Sequence, residues 1–225
     1  MRTIFISAGH SDSGADSGAS GNGYVEGKLT VEQRDLIVKE LKYLGVKVVT
    51  DDNKNALAQT MRFVQNLLTE DWIMVDLHWN AFNTKSTGTE VFVPDTPTAF
   101  ENDLATEIGI EIAKTLKIRN RGVFTESKSA RKRLGWMRLK GENILIETCF
   151  ISNPNDMDSY QDNKEVLAKN IAKILFGASK DNIYIVKSKD SLFKIAQENL
   201  TTVEKIKKDN KLTINLLTVG QKLKL

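Results

Sequence analysis

At 225 residues, with 40% hydrophobic and 27% charged residues, the chain has length for one or two domains with a buried core. Its single cysteine, Cys149, excludes an intrachain disulfide framework and a cysteine-based zinc finger, and no apolar run is long enough to span a membrane. The net charge of +3 is uneven: residues 183–225 carry +5, all of the excess from lysine, and leave the remainder near −2. A basic C-terminal segment suits an anionic partner such as nucleic acid, a membrane surface or a cell wall, or is a solvated lysine face.

In chain order, residues 2–7 read as a buried strand. Gly9 to Gly23 follow, rich in Gly, Ser and Asp. Composition alone would make this stretch a flexible linker. A phosphate cradle is the other option, but neither a Walker lysine pattern nor G-x-G-x-x-G spacing is present. A linker so near the start has nothing to join, so an ordered, ligand-bearing loop is expected. Thr30 and Gln33 predict a capping box for a helix with Leu36, Ile37, Leu41 and Leu44 inward and Gly45 closing it. Val46–Val49 is a strand, and residues 57–68 form a helix with Leu57, Met61, Val64, Leu67 and Leu68 inward.

Trp72-Ile73-Met74-Val75-Asp76-Leu77-His78-Trp79-Asn80-Ala81 begins as a short apolar run of strand length and ends in polar residues. Gly88–Pro94 is a further strand. Residues 98–116 form a helix with Phe100, Leu104, Ile108, Ile112 and Leu116 on one stripe. Residues 117–139 are basic and read as irregular. Ile144–Glu147 is a strand, Phe150–Pro154 a turn, and Val166, Leu167, Ile171, Ile174 and Leu175 mark a last long helix. The alternation predicts an α/β fold, a mostly parallel sheet with helices on both faces. Residues 177–182 read as a linker between a domain over 1–176 and a small β-α-α-β unit over 183–225.

The chain has two histidines, and each ends an apolar strand-like run. Ligands gather outside the carboxyl ends of strands in such sheets. Two imidazoles and a carboxylate can hold zinc and leave a position for water. His10, His78 and Glu26 are the candidates, although a lone histidine is more often an ordinary core or surface residue. Glu147 ends a buried run, where a carboxylate is costly unless paired, coordinated or protonated. That suits a general base. By strand alternation Cys149 would share Glu147's face, so a thiolate ligand is an alternative; free cysteine is more often a small buried hydrophobe.

Taken together, Ala8-Gly9-His10, Asp16-Ser17-Gly18-Ala19, Glu26, Leu77-His78-Trp79-Asn80-Ala81, Gly88-Thr89-Glu90-Val91-Phe92, Asn120-Arg121-Gly122-Val123 and Ile146-Glu147-Thr148-Cys149-Phe150-Ile151-Ser152-Asn153-Pro154 resemble the zinc-dependent N-acetylmuramoyl-L-alanine amidases of the amidase-3 type. The resemblance runs over residues 1–176. It implies one zinc per chain on His10, Glu26 and His78, with Glu147 as catalytic acid/base. It also implies cleavage of the amide between muramic acid and the first alanine of the peptidoglycan stem. Trp79, Asn80 and Arg121 are the substrate-binding candidates. Trp79 and Cys149 depart from the family pattern, which has small residues there.

Tyr184–Leu192, Ile195-Ala196, Asn210-Lys211-Leu212 and Leu217–Leu223 resemble the LysM peptidoglycan-binding module. That resemblance implies a groove formed by Asp190, Ser191 and Leu192 with Leu212, Thr213 and Ile214. Lys189 stands where the module has glycine. Peptidoglycan is thus the expected partner, without nucleic acid or membrane insertion. The first residues run straight into a strand, so synthesis in the cytoplasm without a signal peptide is expected, with release to the wall at phage-induced or mother-cell lysis. The competing readings are a LysM wall-binding protein with an inactive hydrolase domain, and a stem-peptide metallopeptidase.

Overall fold

The computed structural model describes residues 1–12, 16–69, 71–180, 183–199 and 201–225. Ser13, Gly14 and Ala15 of the glycine-rich loop, and Asp181 and Asn182 of the expected linker, lie outside the described residues. The chain divides into two compact units, Met1–Ser179 and Lys180–Leu225.

The first unit runs β1 (Ile4–Ser7), β2 (Ser20–Gly21), β3 (Tyr24–Val25), α1 (Glu26–Tyr43), β4 (Val48–Thr50), α2 (Leu57–Gln65), β5 (Ile73–Asn80), β6 (Thr89–Val93), α3 (Ala99–Leu116), β7 (Asn120–Thr125), β8 (Glu142–Phe150) and α4 (Pro154–Ser179). Six strands form one sheet in the order β4-β1-β5-β8-β6-β7. All neighbours pair in parallel except β6 with β8. The central strands are apolar on both faces because both are covered. Ile6, Val75, Leu77 and Ile146 join residues of α1, α3 and α4 in one core layer, including Ile37, Ile108 and Ile171. Phe5, Met74 and Leu145 face the other way and pack with Val64 of α2, Trp72, Trp136 and Met137.

Four expectations are corrected. Helix α1 begins at Glu26, so Thr30 and Gln33 sit in its second turn and Thr30 Oγ1 donates to the Gly27 carbonyl (3.0 Å). The capping box lies at α3 instead, where Thr98 Oγ1 accepts from Glu101 N (3.0 Å) and Glu101 Oε2 accepts from Thr98 N (2.8 Å). Residues 117–139 contain β7, an edge strand with little apolar alternation and hence little sequence signal. Helix α2 stops at Gln65, leaving Leu67 46% exposed, and α4 continues through residues 177–179.

The second unit is β9 (Ile183–Ile185), α5 (Leu192–Glu198), α6 (Val203–Asp209) and β10 (Lys222–Lys224), with β9 and β10 antiparallel. Val186, Leu192, Ile195, Ile206 and Leu223 form its core.

Candidate metal and catalytic centre

Three loops or strand ends meet where β1, β5 and β8 terminate. His10 follows β1 through Gly9, which has φ +62°; a side chain there would put its Cβ 2.3 Å from the Leu77 carbonyl and 2.6 Å from His78 Nε2. Only glycine fits the approach of the two segments. His78 is near the end of β5, and Glu26 is the first residue of α1. One ligating atom from each of His10, Glu26 and His78 lies within 4.8 Å of the others.

The orientation of these three side chains is held from behind. Glu26 Oε1 accepts from Trp79 N (3.0 Å), and Oε2 accepts from Ala19 N (2.8 Å). His10 Nε2 and His78 Nδ1 both approach Glu26 Oε1, at 3.4 and 3.2 Å. The second nitrogen of each ring meets a carboxylate: His10 Nδ1 with Asp16 Oδ1 (2.9 Å), His78 Nε2 with Asp76 Oδ2 (3.1 Å). A carboxylate behind an imidazole fixes its tautomer and ring plane and raises its basicity as a ligand. Gly18 (φ +70°) closes the cradle, since a Cβ there would stand 2.6 Å from Glu26 Oε2.

The electrostatics follow. Burial opposes the charged carboxylate of Glu26, but its hydrogen bond to His78 and the two imidazoles bring its pKa below the ordinary value. Burial likewise opposes a charged His78, yet Asp76 and Glu26 outweigh it and hold the imidazole well above its usual range. An imidazole must give up its proton before it can ligate a metal, so ion binding at such a cluster would be coupled to proton release. Two imidazoles and one carboxylate, each oriented by a further group, suit a divalent ion with an open position.

Glu147 pairs with His78 across the β5–β8 ladder, and its Oε2 has no hydrogen-bond partner among the described residues. Burial, offset in part by His78, pushes its carboxyl up to about 7. Cys149 does not share its face. The ladder runs from His78↔Glu147 to Asn80↔Phe150, so β8 carries one extra residue, a bulge that breaks the alternation. Cys149 is fully buried in the helix-side core, its thiol raised well above the usual value by burial, and it is not in the ligand group. The thiolate alternative is thus excluded.

His10, Glu26, Asp76, His78, Asn80, Arg121 and Glu147 all line one cleft of about 850 Å³. Arg121 pairs with Glu90, and its guanidinium lies 5.2 Å over the Phe150 ring. Trp79 is also among the residues lining that cleft, but its indole points away from the ligand group. Alternation sends its side chain to the opposite face from His78 and Asn80. There it is 2% exposed and meets the Tyr160 ring edge-on at 5.1 Å.

Asp76 and Glu90 escaped the sequence reading. An aspartate inside the apolar run Ile73–Leu77, two residues before His78 and so on its face, was the available signal for Asp76. Glu90 had only its place in the motif Gly88–Phe92, because it enters from the amino end of a reversed strand, β6.

In the second unit the expected groove residues serve the fold. Asp190 accepts from Tyr184 Oη (2.8 Å) and Lys187 N (2.7 Å), Ser191 caps α5 by accepting from Lys194 N (3.2 Å), and Leu192 is buried. Leu212 packs against the core, while Thr213 and Ile214 are exposed.

A hydrolytic centre on an α/β sheet, followed by a small β-α-α-β unit, is the class that fold and site define. Residues 4–176 match the N-acetylmuramoyl-L-alanine amidase family and residues 184–225 the LysM domain. The chain belongs to the N-acetylmuramoyl-L-alanine amidase family and carries a C-terminal LysM domain. The protein YqiI of Bacillus subtilis (strain 168) is 28% identical over 159 residues, 70% of this chain and 74% of that protein. Among solved structures, Cwp6 from Clostridium difficile is similar with a TM-score of 0.67 and 24% identity, over 80% of this chain but 29% of that one. An N-acetylmuramoyl-L-alanine amidase from Clostridium difficile 630 is similar with a TM-score of 0.64 and 22% identity, over 78% of this chain and 95% of that one. At these identities the solved structures speak for the fold.

Proposed function

We propose that the chain hydrolyses the amide joining the lactyl group of N-acetylmuramic acid to the first alanine of the peptidoglycan stem, with one zinc held by His10, Glu26 and His78. The observation that carries this reading is the convergence of those three ligating atoms beside a buried carboxylate, Glu147, whose Oε2 is unpartnered among the described residues. Zinc at such a site supplies Lewis acidity, polarising the scissile carbonyl and lowering the pKa of a water. Glu147 takes a proton from the attacking water. As the C–N bond breaks, it returns that proton to the departing alanine nitrogen, leaving a lactyl carboxylate and a free peptide amine. A carboxyl near pH 7 is matched to both halves of that exchange. A cation nearby would lower it and favour the base form.

Asp16 and Asp76 orient the imidazoles, and Asn80 lines the cleft beyond His78. The LysM unit keeps the catalytic unit at the wall, raising local substrate concentration without altering the chemistry. The test is mass spectrometry of fragments released from purified peptidoglycan. New lactyl ends are expected; new amines inside the stem would replace this reading with a peptidase, and no release would replace it with a wall-binding protein.

A further inference from the structure

Lys128, Arg131 and Arg133 line the same cleft as the ligand group, and all three are exposed. Among the described residues none of them has an ion-pair partner, whereas Arg121 is neutralised by Glu90 and Arg138 by Glu126. The segment that carries them is held at both ends. Glu126 is fully buried; its Oε2 accepts from Leu134 N (2.8 Å) and its Oε1 pairs with Arg138 (2.6 Å). Ser129 N donates to the Glu126 carbonyl (3.0 Å), Ser127 N to Asp95 Oδ1 (3.1 Å), and Trp136 is 1% exposed below. A buried carboxylate is thus used to brace a short arm whose cations stay free.

Three like charges kept together without counterions raise the local potential and favour an anion. Resting on the amidase reading, the substrate has a charged side and an uncharged side. The glycan presents hydroxyl and acetamide groups, while the stem peptide presents carboxylates. We infer that Lys128, Arg131 and Arg133 form a subsite for the carboxylates of the stem peptide, so that the enzyme prefers stems with free carboxylates over stems whose carboxylates are amidated.

The experiment compares two soluble muramoyl-peptides, identical except that the stem carboxylates are free in one and carboxamides in the other. With the full-length zinc-loaded protein, kcat/KM should favour the free acid by about tenfold, mostly through KM, since three solvent-exposed charge contacts are individually weak. The preference should shrink between 0.05 and 0.5 M salt by screening. In the triple variant K128A/R131A/R133A the ratio of the two kcat/KM values should fall towards one. Lys132, in the same arm but not lining the cleft, is the control, and K132A should keep the wild-type ratio. Equal cleavage of both substrates by wild type, or a ratio unchanged in the triple variant, overturns this inference alone. Failure to break the lactyl amide in either substrate overturns the amidase reading and this inference with it.

Discussion

The cleft of the first unit and the loop before α5 in the second use polar side chains in opposite ways. In the LysM unit Asp190 and Ser191 are spent on local bonds to Tyr184, Lys187 and Lys194, and the loop is shaped by them. In the cleft, among the described residues, Glu147 keeps an unpartnered oxygen, Asp76 an unpartnered Oδ1, and like-charged carboxylates crowd one another. Chemistry demands atoms that are not already satisfied, and the surrounding fold must tolerate them. A structural loop needs a shape, and satisfied hydrogen bonds supply it.

The sharpest way to break this contrast is Glu147→Gln. It keeps volume and one oxygen but cannot exchange a proton, so turnover of peptidoglycan should fall on the order of 10²–10⁴-fold with zinc content unchanged. Wild-type turnover by that variant would remove Glu147 from the mechanism.

The same variant reads the cost of the unsatisfied carboxylate in chelated protein. Glu147 has its folded pKa raised from 4.5 to about 7, so its contribution is fully present below the unfolded value and is lost as pH rises through about 7. Wild type should therefore lose stability relative to Glu147→Gln between pH 5 and 9, by at most about 3 kcal/mol. Urea unfolding of both proteins at the two pH values measures it; parallel curves would mean the carboxyl is relaxed by solvent.

Asp76→Asn and Asp16→Asn test whether the groups behind the imidazoles are positioning residues. Each should weaken zinc affinity about 10–100-fold in competition with a chromogenic chelator. Glu26→Gln should weaken it more, having lost a ligand.

In the LysM unit the effects should be structural. Ser191→Ala removes the cap of α5 and should cost about 1 kcal/mol. Accelerated amide exchange in residues 192–198 with unchanged lactyl-amide turnover would show it. Lys189 has φ +68°, a conformation that a glycine adopts without strain. Lys189→Gly should therefore stabilise the unit slightly, by less than about 1 kcal/mol once the extra freedom of the unfolded chain is counted. A destabilised unit would mean that the lysine side chain contributes something the backbone does not.

Local pattern carried a great deal. The apolar runs of β1, β5 and β8, the stripe of α3 and the polar residues ending those runs were all legible, because parallel strands covered on both faces leave an uninterrupted hydrophobic signature. His10, Glu26, His78 and Glu147 could be picked out by residue type and place in the motifs. What tertiary structure alone decided were the partnerships. Strand alternation from Glu147 pointed Cys149 into the cleft, but one bulged residue in β8 sends it into the core. Strand β6 runs against β8 and delivers Glu90 beside Glu147 from the wrong end for the carboxyl-end rule. The bracing of the cationic arm by Glu126 joins residues whose roles no local pattern distinguishes. Secondary structure follows from neighbours in sequence, whereas register, bulges and buried charge pairs depend on which strand lies alongside, and that is settled only when the sheet assembles.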